Sequence, residues 1–561
     1  MKKITVLILS AMFPMILSSQ IAPEKYFVGF KDKNNSPYSL DRPIEFLSQR
    51  AVERRQRIMI SLEENDLPVI SSYVETIANL GVTVLNRSKW LNGITIFTTD
   101  TAILETISAL PFVLNIVKGS ELIPMGKSKS GVGNKFDFEQ NSISIKNDPQ
   151  WNMPSRSFSG YNYGPSYRQI HMVNGDLLHQ MGYRGEGMVI AILDAGFFHV
   201  NELPAFDSLW ANNQILGTRD FVLPGNDVFL EYAHGMEVLS VIGGNLPGQL
   251  VGTAPKASFW LLRSEEYDYE NLIEEYNWVS AAEFADSVGA DVINSSLGYT
   301  TFDDPTKNHT CADMNGNTTV VTRGANTAGS KGMIVINSAG NSGGSSWKCV
   351  SAPADGNSVL AIAAVDSMGH YAYFSSEGKV NSRVKPNVAA MGQQTVVSGT
   401  TGTILRANGT SFSSPIIAGL VACLWQSSIT MNNYTIMQSV EVSSSQFTNP
   451  DSLLGYGLPD FYKALNIMNI TNINYTETSR LFPNPFTHEF TIDFITDSKQ
   501  KLRILLLDQS GRIVFVLNDY PCITGLNKIK FSCPENIKTG YYFLQIIGEK
   551  KTEVFKLTKT L

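Results

Sequence analysis

The sequence predicts an α/β protein in which a mainly parallel sheet lies between helices, preceded by a small α+β domain and followed by a β-sandwich. Between about Gln169 and Met468, short apolar runs end in polar residues: MVIAILDAG, ASFWLLRSE, DVINSSLG, GMIVINSAGN and VLAIAAVD. Helical stretches such as NLIEEYNWVSAAEFADSVGA separate several of them. Strands apolar on both faces that alternate with helices make a parallel sheet covered on both sides. Ahead of this region, residues 22 to about 120 interleave strand-like YFVGF and GITIFTT with the helix-patterned stretches PVISSYVETIANLG, ending on Gly81, and TAILETISAL. Behind it, FTIDF, LRILLLDQ, RIVFVLN, NKIKFS, YYFLQIIG and EVFKLTK read as short strands divided by turn signals such as Ser510-Gly511, the pattern of an antiparallel sandwich.

At 561 residues the chain is too long for a single core. Composition shifts divide it into a leader (1–20), an α+β domain (21–124), a polar Gly/Ser/Asn-rich linker (125–163), the α/β domain (164–468), a second polar link (469–479) and the sandwich (480–561). The opening MKKITVLILSAMFPMILSSQ has two lysines, an apolar stretch from Ile4 to Leu17 and then small and polar residues. That is the build of a secretory signal peptide, and the stretch is shorter than the roughly 20 residues of a spanning helix. With 43% hydrophobic and 17% charged residues, most of the chain has the material to fold. Lys and Arg number 44 against 51 Asp and Glu, a net charge of −7 with no basic face, so nucleic acid is not an expected partner.

Export permits disulfides among the five cysteines. Cys311 with Cys349, across a polar loop, and Cys522 with Cys533, near the C-terminus, are the candidate pairs; Cys423, inside an apolar helix, reads as a buried thiol.

The stretch NGTSFSSP at residues 408–415 stands before the apolar IIAGLVACLW. Ser and Thr are favoured as helix caps, and Pro is tolerated in the first turn, so capping alone explains such a stretch. A serine becomes a nucleophile only beside a base, usually a histidine whose tautomer a buried carboxylate sets. The α/β domain offers Asp194 at the end of a strand in AILDAG and His234 at the head of HGMEVLSVIGG, with Gly196 and Gly235 leaving room for close approach. The chain order is Asp, His, Ser. No H-E-x-x-H occurs, GYRGEGMVI precedes its strand rather than following it, and the other histidines lack metal-ligand spacing.

Taken together and in this order, AILDAG, HGMEV, NSAGN and NGTSFSSP resemble the signature segments of the subtilases, the subtilisin-like serine peptidases. GTAPKA, SSLG and GYGLPDFYKAL add to the likeness, which covers roughly 300 residues. The resemblance implies a subtilisin-like fold and a secreted serine endopeptidase acting through an acyl-enzyme. It implies Ser411 as nucleophile, His234 as general base and acid, Asp194 as its orienting partner, and Asn341 with the Ser411 N–H as oxyanion hole. Ser296, Leu297 and Gly298 would pair with substrate backbone, with Gly340 in the pocket beside the cut bond. No organic cofactor is implied; a structural calcium ion is an open possibility, with Asp303 and Asp304 as loop candidates or simple solvated surface.

The sequence departs from the family where Ala195 replaces the usual Thr or Ser after the aspartate, and where Met236 and Glu237 replace Thr-His after His-Gly. These changes leave a second reading, a catalytically inactive surface or binding protein that keeps the fold. The N-terminal domain is similar to a subtilase propeptide, which implies a zymogen inhibited by its own propeptide. The last domain, with FPNPF, LLDQSGRIV and VFKLTK, resembles the type IX secretion sorting domain of Bacteroidetes proteins. It implies recognition by that machinery and delivery outside the cell or to its surface. Protein or peptide substrates complete the expected partners.

Overall fold

The structure, a computed structural model, describes residues 25–119, 136, 143–144, 157–158, 160–378, 383–475, 480–496, 499–522, 525–533, 537–548 and 552–560. The expected signal peptide and most of the first linker lie outside these residues.

The chain divides into residues 1–466 and 467–561. In the first unit a seven-stranded sheet runs in the order Val388–Met391, Val359–Val365, Ile334–Ser338, Val292–Ser295, Val189–Asp194, Ser258–Arg263, Ile215–Asp220. Every pairing is parallel. Strands Val189–Asp194, Val292–Ser295, Ile334–Ser338 and Val359–Val365 are buried at every residue, as unbroken apolar runs require when helices cover both faces. The apolar runs read from the sequence leave out the two edge strands: Ile215–Asp220 alternates and is half exposed, and Val388–Met391, although buried at every residue, is half alanine, a residue depleted in strands. The helix Thr410–Gln426 is buried almost throughout and packs on the sheet, whereas Ile273–Val288 puts Trp278, Ala282 and Ala285 into a cluster with Val189, Leu193, Ile293 and Val335 of the sheet.

In the second unit a three-stranded sheet (Arg480–Phe482, Glu489–Thr496, Gly525–Ser532) and a four-stranded one (Ile513–Cys522, Gln500–Asp508, Gly540–Ile547, Thr552–Lys559) are antiparallel throughout and share one core around Phe490, Ile492, Leu506 and Leu544. Each expected strand overlaps one of these. The helix Phe461–Tyr475 runs into the stretch read as a polar link, where it is helical rather than extended. Cys311 and Cys349 are bonded as expected, with an S–S length of 2.08 Å. The other expected pair is not formed: Cys522 ends a strand of the four-stranded sheet, Cys533 follows a strand of the other, and both stay thiols. Cys423 is a buried thiol, as its place in an apolar helix implies.

The N-terminal domain is a four-stranded antiparallel sheet in the order Thr83–Ser88, Gly93–Phe97, Lys25–Phe30, Val113–Lys118. Alternation along the strand Lys25–Phe30 uses both faces. Tyr26, Val28 and Phe30 join Val74, Ile77 and Ile107 of helices Ser71–Ala78 and Ala102–Ser108, while Phe27 points the other way and stacks on Tyr276 at 4.5 Å. A further helix, Gln49–Arg57, gives no signal in the sequence pattern, because QRAVERRQR has the composition of a solvated surface.

That helix is not a solvated surface. Arg54 and Arg55 are buried and meet Asp286 of the large domain at 2.6 and 2.7 Å; Arg55 also holds Asp66 at 2.8 Å, and Lys89 reaches Asp286 at 3.2 Å. Buried ions are tolerable only in such company, and removing one partner of a buried pair costs about 3–5 kcal/mol. Burial works against ionisation of Asp286, but Lys89, Arg55 and Arg54 outweigh it and hold its carboxyl below the usual range. At Glu283, on the same helix, the balance reverses. Burial pushes the Glu283 carboxyl up to about 7, against the hydrogen bonds it accepts from the Ser88 hydroxyl and from the Lys89 and Trp90 backbone N–H groups and against the charge of Lys89.

Freed from the N-terminal domain, Glu283 returns toward the ordinary glutamate range, so association carries a bound proton between that range and about 7. This contribution is fully present below that window and is lost as pH rises through it. Chains nicked between residues 120 and 159 should therefore hold their N-terminal domain more tightly near about pH 5 than near about pH 8, by up to about tenfold in Kd per pH unit within the window. Glu283→Gln should flatten the dependence, as measured by retention on size exclusion.

Candidate active site

The expected site residues gather at the carboxyl ends of the parallel strands, where such sheets bind ligands. Strand Val189–Asp194 lies between Val292–Ser295 and Ser258–Arg263, and its last residue, Asp194, is wholly buried. Helix His234–Gly243 begins beside it, with His234 Nδ1 2.7 Å from Asp194 Oδ1; the Ala195 backbone N–H donates to the same oxygen at 2.8 Å. A carboxylate only accepts, so the network assigns the proton to Nδ1 and leaves Nε2 as the basic nitrogen. The approach depends on Gly235: a Cβ there would collide with the Gly196 carbonyl oxygen and stand 2.8 Å from Asp194 Cβ.

Ser411 is the second residue of helix Thr410–Gln426, so its backbone N–H is among those without an acceptor in their own helix, at the positive end of the helix dipole. The ring of the next residue, Phe412, lies 5.9 Å from the His234 imidazole, which brings the two elements to one edge. Pro415 has no N–H, so it cannot serve the Ser411 carbonyl as residue 415 of an ordinary helix would. Ser296 does so instead: its Oγ donates to that carbonyl at 2.8 Å, and Ser411 Oγ donates to the Ser296 carbonyl at 3.3 Å. Ser413 Oγ donates to the Thr410 carbonyl and Ser414 Oγ to Asn294 Oδ1, so these two serines brace the helix start.

Asn341 follows the strand Ile334–Ser338. Its Oδ1 accepts from the Thr410 N–H at 2.9 Å and the Thr410 hydroxyl at 3.0 Å, which sets the amide plane and turns the Nδ2 donors away from Thr410. Gly340 has φ +105°, and a Cβ would stand 2.8 Å from Ser376 Oγ, so a glycine is needed there. Leu297 is buried and its carbonyl accepts from Asn337 Nδ2 at 2.9 Å; a Cβ on Gly298 would collide with Ser351 Oγ. Sequence reasoning missed Thr410, whose signal was its place directly before the serine.

The loop acids read as calcium candidates make local hydrogen bonds. Asp303 accepts from the Glu270 N–H, and Asp304 caps the short turn Pro305–Lys307 through the Thr306 N–H and hydroxyl. Among the described residues Glu265, Glu270 and Glu274 also bring carboxylate oxygens within 4.8 Å of one another, with Glu265 accepting from the Tyr299 hydroxyl and Glu274 from the Glu266 and Asn271 N–H groups. Of the remaining histidines, His179 is held between the Tyr163 hydroxyl and the Thr253 carbonyl, and burial pushes its pKa down to about 4. No helix among the described residues is long and apolar enough to cross a membrane.

Residues 185–457 match the Subtilase family. The chain carries a subtilase domain. Residues 25–132 match the peptidase S8 propeptide domain of Bacteroidota, and residues 480–560 the secretion system C-terminal sorting domain. Subtilisin E of Bacillus subtilis (strain 168) is 28% identical over 310 residues, 54% of this chain and 73% of that protein. The subtilisin of Bacillus pumilus is 29% identical over 293 residues, 52% of this chain and 94% of its own. Among solved structures, MycP1 from the ESX-1 type VII secretion system aligns with a TM-score of 0.43 at 20% identity, covering 56% of this chain and 88% of that one. The prenylagaramide maturation protease PagA aligns with a TM-score of 0.41 at 22% identity, covering 52% and 97%. The matched domain is thus that of a serine peptidase, and the sorting domain marks the chain for type IX secretion to the outside of the cell.

Two variants test the Asp194–His234 arrangement. Gly235→Ala should push the helix start away from Asp194 and lower kcat/KM by at least about tenfold, the effect of a misplaced catalytic group. Asp194 Oδ2 is buried with no hydrogen-bond partner among the described residues, and Ala195 next to it has no side-chain donor. Ala195→Ser should supply one and raise stability by about 1 kcal/mol, read by denaturant midpoint. The same donor should weaken the hold of Asp194 on the imidazolium and move the acid limb of the pH–kcat/KM profile to lower pH.

Proposed function

We propose that the chain is a secreted serine endopeptidase in which Ser411, His234, Asp194 and Asn341 carry the reaction. One observation supports this most: the buried Asp194–His234 pair at 2.7 Å beside the helix start that bears Ser411, inside the segment that matches the subtilases. Ser411 Oγ attacks the peptide carbonyl as His234 Nε2 takes its proton, and Asp194 stabilises the imidazolium. The Ser411 N–H and Asn341 Nδ2 receive the oxyanion, one from a helix N-terminus and the other from an amide held in place by Thr410. His234 returns the proton to the leaving amine, and water then releases the acyl group by the same steps. Ser296, Leu297, Gly298 and Gly340 bind the substrate chain beside the cut bond.

The hydrolysis needs no organic cofactor. A structural calcium ion would find oxygen ligands at Glu265, Glu270 and Glu274. The N-terminal domain serves as the chain's own inhibitor until the linker is cut, and the type IX secretion machinery recognises the C-terminal sandwich. The presence of all the catalytic groups favours this reading over an inactive binding protein.

Ser411→Ala should abolish both fluorophosphonate labelling and peptide hydrolysis in the matured chain. Asn341→Ala should lower kcat by about 10²- to 10³-fold with little change in KM, the cost known for the asparagine donor of subtilisin. A correctly matured wild-type chain that neither labels nor cleaves would establish the binding protein instead.

A further inference from the structure

Phe136 belongs to neither the N-terminal sheet nor the parallel sheet, yet it is 3% exposed and lies in the large domain's core cluster with Ala195, Leu297 and Tyr299. Its ring centroid is 4.6 Å from the His234 imidazole, 5.4 Å from Tyr232 and 6.1 Å from Tyr267. Tyr232 and Tyr267 stack on each other at 3.8 Å. The two tyrosines come from separate loops, one just ahead of helix His234–Gly243 and the other after strand Ser258–Arg263. A Cβ on Gly196 would collide with the Tyr232 backbone nitrogen, so the turn after Asp194 seats that loop closely. The aromatic walls are therefore attached to the same elements that hold the Asp194–His234 pair.

Phe136 lies beyond the propeptide match, which ends at residue 132, and ahead of the subtilase match, which begins at 185. Phe136 packs against the imidazole, so a substrate side chain lying beside that imidazole would take the place of Phe136. We propose that Tyr232, Tyr267 and the face of His234 form a substrate subsite selective for an aromatic side chain, which Phe136 fills in the uncleaved chain. The proposal rests on the peptidase reading and names its substrate class: peptides with Phe, Tyr or Trp within about three residues of the cut bond, since an extended chain advances ~3.3 Å per residue. Aromatic rings gain from tilted and offset contact beyond the area they bury, which separates them from aliphatic side chains of similar size.

The matured chain should cleave library peptides with an aromatic residue at one fixed position about 30-fold faster in kcat/KM than those with alanine there, the order expected for burying one such side chain. Tyr267→Ala should narrow that ratio to about threefold, the share left when one of the two aromatic walls is gone. A fluorescent peptide of residues 131–141 should bind the matured chain about 30-fold more tightly than its Phe136→Ala version, read by anisotropy or, where it is cut, as competitive inhibition. Labelling of Ser411 by a fluorophosphonate reports the peptidase reading separately. A chain that labels but treats aromatic and alanine peptides alike, or prefers lysine or arginine at that position, overturns the subsite and leaves the peptidase. A chain that fails to label yet discriminates between the two linker peptides overturns the peptidase and supports the aromatic subsite.

Discussion

The 2.7 Å hydrogen bond between buried Asp194 and His234 is the contact on which the rest of the site depends. A carboxylate can be kept at the end of a central strand, out of water, only if donors meet it there; here they are the imidazole and the Ala195 N–H. Seating helix His234–Gly243 that closely requires the absence of a side chain at Gly235. The imidazole, once held, faces the start of helix Thr410–Gln426, and the remaining chemistry is a matter of what that helix start presents.

What it presents follows from a missing hydrogen bond. Pro415 cannot donate to the Ser411 carbonyl, and Ser296 from the neighbouring strand end takes over that role. The helix start is thereby tied to the strand end rather than closed on itself. Thr410 ties it likewise to Asn341. Three strand ends and two helix starts are thus joined by short polar contacts around one small space, which is how a rigid sheet lends precision to residues far apart in the chain.

The N-terminal domain uses a different kind of contact. Its apolar face is used in its own core, and its other face meets the large domain through Phe27 on Tyr276 and through the buried charges around Asp286 and Glu283. Such a surface is exacting about its partner, since each buried charge demands a placed counter-charge, but it contributes less net stability than apolar packing would.

Several features are legible in the sequence because they depend on local pattern. Apolar runs mark the five inner strands of the parallel sheet, alternation marks the strands of the sandwich, and the segments around Asp194, His234, Asn341 and Ser411 carry a recognisable order. The helix Gln49–Arg57 stays hidden because an arginine that will be buried against an aspartate is spelled like one left in water. The second cysteine pair misleads because closeness in sequence does not settle which sheet each cysteine joins. The sequence by itself determined the residue types and the elements that carry them. Only the tertiary structure decided that Thr410 orients Asn341, that Ser296 stands in for a helix donor, and that Phe136 lies against His234, because each of these is a contact between segments that only folding brings together.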